Sequence, residues 1–197
     1  MSYYNPQGSN PRTEFFTDVP SAGEGVPNLS HRFAFKLFIE LTRGRETANV
    51  FFSPFSVMLC LLMMWVGASG ETREAITRVP ELAGDDLEPS QQPQRIEQTR
   101  QLLSAALAVH GPGLQLAVGN SLWYDEQLKV QSAFLSEVQR NCAAEVFSVA
   151  MGKRESVGRI NAWVAEKTRG KILQILYSLD PLALIVAVNA VYFKCLW

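Results

Sequence analysis

Residues 182–193 read LALIVAVNAVYF, an almost wholly apolar run in which Asn189 is the only polar side chain. Ile185, Val186, Val188, Val191, Tyr192 and Phe193 are β-branched or aromatic, the types that suit a pleated strand. A strand without apolar–polar alternation is expected to be covered on both faces. A buried amide must find hydrogen-bond partners, so Asn189 is either a structural clasp or a site.

Toward the N-terminus, Val157, Ile160, Trp163 and Val164 fall on one side of a helix that Gly170 ends, with Lys167, Arg169 and Lys171 near its negative pole. Ala144–Val149 reads as a short strand and Ala133–Asn141 as a helix. Leu114, Leu116, Val118, Leu122 and Tyr124 share one parity, broken by Asn120, and predict another strand. Before it, His110-Gly-Pro-Gly113 breaks a helix expected over Ile96–Val109, and Pro80–Pro93 has the composition of a surface linker. Glu71–Val79 reads as a short helix. Val57–Val66 is the longest uninterrupted apolar run, ten residues, and a helix with no polar face must be central. Ser53 is placed to cap it, Pro54 suits its first turn, and Asn49–Ser53 leads in extended. Phe33, Ala34, Leu37, Phe38 and Leu41 form an amphipathic stripe that stops before Gly44. Residues 1–27, rich in Pro, Gly, Ser and Asn, are expected to be a flexible tail, and 28–197 the folded part. This order predicts an α+β fold with helices packed on a mixed sheet.

Composition narrows the function. The 197 residues carry a formal net charge of −1, with 19% charged side chains, which argues against a nucleic-acid partner. Ten apolar residues fall short of the roughly 20 a membrane helix needs, so no membrane association is expected. Cys60, Cys142 and Cys195 form no CxxC pair, and Cys60 reads as a small core hydrophobe. The two histidines, His31 and His110, have no partner at metal-ligand spacing, so neither a metal nor another cofactor is expected. No GxSxG, HExxH or GxxxxGK[ST] occurs, and Asp85/Asp86 lie in the polar linker. An enzyme is not expected. The N-terminus lacks the apolar core of a signal peptide.

Several segments resemble the serpin family in order and spacing. Asn49-Val-Phe-Phe-Ser-Pro-Phe-Ser56, the apolar helix and Gly67-Ala-Ser-Gly-Glu-Thr72 resemble its helix B and flanks. Asn120-Ser-Leu-Trp-Tyr124 is similar to strand 2 of sheet A, and Phe134-Leu through Cys142-Ala-Ala-Glu-Val-Phe147 to the passage from helix E to strand 1. Ile160-Asn-Ala-Trp-Val with Thr168-Arg-Gly-Lys-Ile172 resembles helix F and its exit, and Val188–Trp197 resembles strand 3. Cys195 departs from the family's usual glycine. The likeness runs from about residue 28 to 197 and lacks the rest of sheet A, sheets B and C and the reactive-centre loop, so the chain is expected to be truncated.

The resemblance implies an inhibitor of serine proteases. In that family a protease cleaves the reactive loop, and the loop then inserts into sheet A as an extra strand. By the same resemblance, Ser53, Ser56 and Asn189 match the shutter region beneath the sheet, a Ser hydroxyl facing an Asn amide, and Trp197 matches the breach where insertion starts. Each has a plainer reading: a helix cap for Ser53, backbone satisfaction for Asn189, core packing for Trp197. These roles are conformational, with no catalytic residue. Without the reactive loop the chain alone is expected to inhibit nothing. The alternatives are a non-inhibitory serpin-like protein for storage, transport or chaperoning, or a fragment that self-associates through an exposed sheet edge. A heparin-type site is not expected, since the 96–109 helix has only Arg95 and Arg100 nearby. The family suggests an extracellular setting, with the cytoplasm as the alternative.

Overall fold

The computed structural model describes residues 26–44, 49–79, 101 and 113–196. The expectations for the tail before residue 26, the 80–93 linker, the 96–109 helix and Trp197 lie outside them. The described residues include α1 (Val26–Thr42), α2 (Pro54–Gly67), α3 (Gly70–Thr77), β1 (Leu114–Asp125), α4 (Ser132–Cys142), β2 (Ala144–Val149), α5 (Arg154–Lys167) and β3 (Ile185–Cys195).

The strands form one mixed sheet, as the sequence leads one to expect, and their order is β2-β1-β3. β2 runs parallel to β1, which requires a crossover, and α4 supplies it. β3 is antiparallel to β1 along eleven residue pairs, from Leu114–Cys195 to Tyr124–Ile185. Each face of the sheet carries its own apolar cluster. On one side Leu122, Ala144, Val146, Ile185 and Ala187 pack against α2 and α4. On the other, Trp123, Val149, Val188 and Ala190 pack against Ile160, Trp163 and Val164 of α5. The result is a sheet sandwiched between helices.

Alternation along β1 understates this double cover. The parity of Leu122 was expected to be the packed one, yet Ser121 and Trp123 on the opposite parity are equally buried. Trp123 stacks on Phe147 at 4.3 Å and donates from Nε1 to Ser121 Oγ at 2.8 Å, so its polar edge is satisfied in a dry setting. Gly119 has a steric role here. A Cβ at this position would stand 2.9 Å from the Lys167 side chain and 3.1 Å from that of Trp163, so α5 can lie close only over a glycine.

α2 is central, as an all-round apolar helix must be, with Met58, Leu59, Leu62, Met63 and Trp65 buried. The stripe of α1 is covered incompletely. Phe33 is buried and Phe38 stacks on Phe52, but Phe38 and Leu41 remain exposed. β3 begins at Ile185, three residues later than its apolar run. Asp180 holds the preceding residues in a turn, accepting from Leu182 N at its side chain and from Ala183 N at its carbonyl. Hydrophobicity alone does not reveal that punctuation.

α4 ends on Ala143, which adopts the left-handed conformation at φ 47° and ψ 39° and is exposed. A side chain there costs about 1 kcal/mol relative to glycine. Ala143→Gly is therefore expected to stabilise the chain by roughly that amount, read as a higher urea midpoint. A lower midpoint would show that unfolded-state entropy outweighs the local strain.

Candidate functional site

The polar centre of the sheet lies where β1 and β3 pair. Asn120 and Asn189 stand directly opposite each other in the ladder. Their parity turns both toward α2 and α4. Asn120 Nδ2 donates to the carbonyl of Cys142 at 2.8 Å, and Asn189 Nδ2 donates to Asn120 Oδ1 at 2.7 Å. The Cys142 carbonyl can only accept, which fixes the orientation of Asn120 and, through it, that of Asn189. Asn189 Nδ2 also reaches Gly119 O at 3.3 Å. One consequence is that Asn189 Oδ1 is buried with no hydrogen-bond partner among the described residues. A buried carbonyl left unmatched is unusual enough to need a reason.

The sequence-predicted residues are only partly brought together. Ser53 is the N-cap of α2: its Oγ accepts from Ser56 N at 3.2 Å, beside Pro54 in the first turn. Neither serine hydroxyl bonds Asn189 among the described residues, so the expected Ser–Asn clasp is an Asn–Asn clasp. Ser53 does lie near β3. With Phe51, Thr168, Tyr192, Phe193 and Lys194 it lines a cleft of about 650 Å³ at the outer edge of that strand. Asn120, read from sequence as a break in an apolar parity, is the missed member of the site. Its signal was an amide on the same parity as Leu122, as Asn189 is on the parity of Ala187.

Around this centre, α5 is fastened to the opposite face. Lys167 Nζ meets Glu145 Oε1 at 2.8 Å and Glu166 at 3.2 Å, and Trp163 Nε1 donates to the same Glu145 oxygen at 3.1 Å. The Glu145 bond holds the Lys167 ammonium above its ordinary pKa. Thr168, buried at the end of α5, donates to Val164 O and accepts from Ile172 N, and so turns the chain back. Asn161 then takes three bonds from the returning segment: its Oδ1 accepts from Ile175 N and Leu176 N, and its Nδ2 donates to Leu176 O. Cys142 is buried, and desolvation, aided by the neighbouring Cys60, pushes its thiol up to about 12. A thiol held that far from ionisation is a packing group, not a nucleophile. Among the described residues no three metal-ligating side chains cluster.

Among the described residues β3 pairs with β1 on one edge only, and no strand lies beside its other edge. Residues 28–197 match the family model described as serpin, serine protease inhibitor. The chain belongs to the serpin family. Serpin A9 of Homo sapiens is 33% identical over 206 residues, covering 100% of this chain and 46% of that protein. The plasma serine protease inhibitor of Bos taurus is 32% identical over 182 residues, covering 91% of this chain and 44% of that one. Among solved structures, reactive-loop-cleaved human thyroxine-binding globulin superposes with a TM-score of 0.74 at 29% identity, over 84% of this chain and 48% of that one. This serpin chain thus spans about half the length of the curated relatives it matches. Its family is one of protease inhibitors, with binding proteins among its members, rather than of enzymes. Among the described residues no helix is long and apolar enough to cross a membrane.

Proposed function

We propose that this chain is the sheet-opening part of a serpin-type inhibitor of serine proteases, and that the outer edge of β3 is where an inserting strand pairs. The observation that carries the reading is that edge: eleven residues of strand, paired along one side only among the described residues, with a buried amide oxygen at their centre that finds no donor among them. Such an edge offers a row of backbone groups to an incoming strand. In this reading Asn189 and Asn120 hold the sheet from within, Ser53 and Ser56 form the floor at the start of α2, and Trp197 marks where insertion begins. The setting is extracellular, as suits a chain similar to a plasma inhibitor.

The test is a synthetic peptide of small, β-forming residues added to the 197-residue chain. Binding is expected to slow hydrogen exchange at those β3 amides that face away from β1. Unchanged exchange in β3 at saturating peptide would remove the reading. The same edge supports a second one, self-association of this chain, because Phe193 near its end is exposed. Sedimentation that shifts to larger species with concentration, without protection by peptide, would favour it. A non-inhibitory serpin would differ in the reactive-loop hinge, where bulky or charged residues oppose insertion.

A further inference from the structure

The segment that returns from α5 to β3 carries a feature independent of strand insertion. Over residues 171–184 the chain has no regular secondary structure. It is pinned at Ile172 by Thr168, at Ile175 and Leu176 by Asn161, and at Leu182 and Ala183 by Asp180. Between those pins, the N–H and C=O groups of Tyr177, Ser178 and Leu179 make no hydrogen bond among the described residues. The Tyr177 side chain is 87% exposed, while Leu176 and Leu179 on either side tuck against the α5 face of the core.

An endopeptidase binds its substrate as an extended strand, with the substrate backbone hydrogen-bonded to the cleft and one side chain in a specificity pocket. Free backbone groups next to an exposed aromatic side chain meet both needs. We infer that the Tyr177–Ser178 bond is a cleavage site for chymotrypsin-like endopeptidases, and that Asn161 gates it. The protease serine attacks the Tyr177 carbonyl and expels the Ser178 amine. Water then releases a Tyr177 carboxylate, so one peptide bond is hydrolysed and nothing is oxidised. Asn161 enters because its bonds hold Leu176, the residue before Tyr177. Seating the segment in a cleft requires Leu176 and Leu179 to lift, and the cleavage rate follows the population of that lifted form. The β1–β3 ladder would keep the severed piece in place, but the covalent tie from α5 to β3 would be gone.

The experiment is limited digestion of the full chain with α-chymotrypsin, with fragments identified by mass spectrometry. The expected product is a fragment beginning at Ser178 that appears before any cut at the buried Trp123 or Trp163. Tyr177→Ala, at an exposed position, should abolish that fragment without changing the circular dichroism. Asn161→Ala should speed it about tenfold, the scale expected when a few part-buried hydrogen bonds are lost. Cutting of wild-type chain at exposed Phe51 but not at Tyr177 would overturn the inference. A rate at Tyr177 unchanged by Asn161→Ala in a folded variant would overturn the gating.

Discussion

Asn120→Ala is expected to cost about 3–5 kcal/mol, among the largest losses any single change in this chain would produce. The side chain is 2% exposed and sits mid-way in a polar relay. Removing it takes the donor from Cys142 O and the acceptor from Asn189 Nδ2, which retains only the longer bond to Gly119 O. Each buried group left unmatched costs roughly 1–3 kcal/mol, and the void where the amide stood adds to that. Set against a total stability of about 5–15 kcal/mol for a typical domain, such a loss would remove a large share of the margin. Urea unfolding followed by tryptophan fluorescence measures it. A loss below about 1 kcal/mol would mean that the relay contributes little net energy. Asn120→Asp should fare no better, because a carboxylate oxygen would then face the Cys142 carbonyl.

Trp123→Ala should lower the thermal midpoint by about 6–20 °C. Truncating a large aromatic in a packed core costs about 3–5 kcal/mol, and at this chain length each kcal/mol moves the midpoint by about 2–4 °C. Trp123 is 2% exposed within the cluster that joins β1 to α5, and it stacks on Phe147 of β2. Its loss therefore loosens the seat of α5 as well as the strand pair. Trp123→Phe separates the two contributions. It keeps most of the stack while freeing Ser121 Oγ from its indole donor, so the midpoint should fall by less than half as much. Equal losses for the two variants would show that the indole hydrogen bond, not the packing, is what matters.

How much of this could be read from the sequence depended on whether the relevant signal was local. The Ser53–Pro54 start of α2 and the position of β2 were legible because capping chemistry and a short stretch carrying the β-formers Val146, Phe147 and Val149 are local features. The late start of β3 was not, because Asp180 overrules a hydrophobic run that looks continuous. Ser121 and Trp123 were missed because single-parity reading assumes one wet face, and over residues 119–123 this strand has none. The site was legible by half. Asn189 stood out as a lone amide in a strand. Its partner could not be named, because the pairing register that sets Asn120 opposite it spans 69 positions and leaves no trace in local composition. The Asn161 anchor was silent for a similar reason, as an ordinary polar residue on a helix whose importance comes from the chain that folds back over it.

That long register also orders events in time. β1, α4 and β2 are consecutive in sequence, so their parallel pair can close soon after it is made. β3 joins the other edge of β1 from Asn189 to Asn120, a late, non-local contact of the kind that slows folding. At a synthesis rate of about 5–20 residues per second, the ribosome needs roughly 3–14 s to travel between those two asparagines. Throughout that interval β1 shows the nascent chain's surroundings a bare strand edge, with the Asn120 amide held only by Cys142. The central strand of the finished sheet is thus its most vulnerable edge during biogenesis, and protection by a chaperone would be needed there before it is needed at β3.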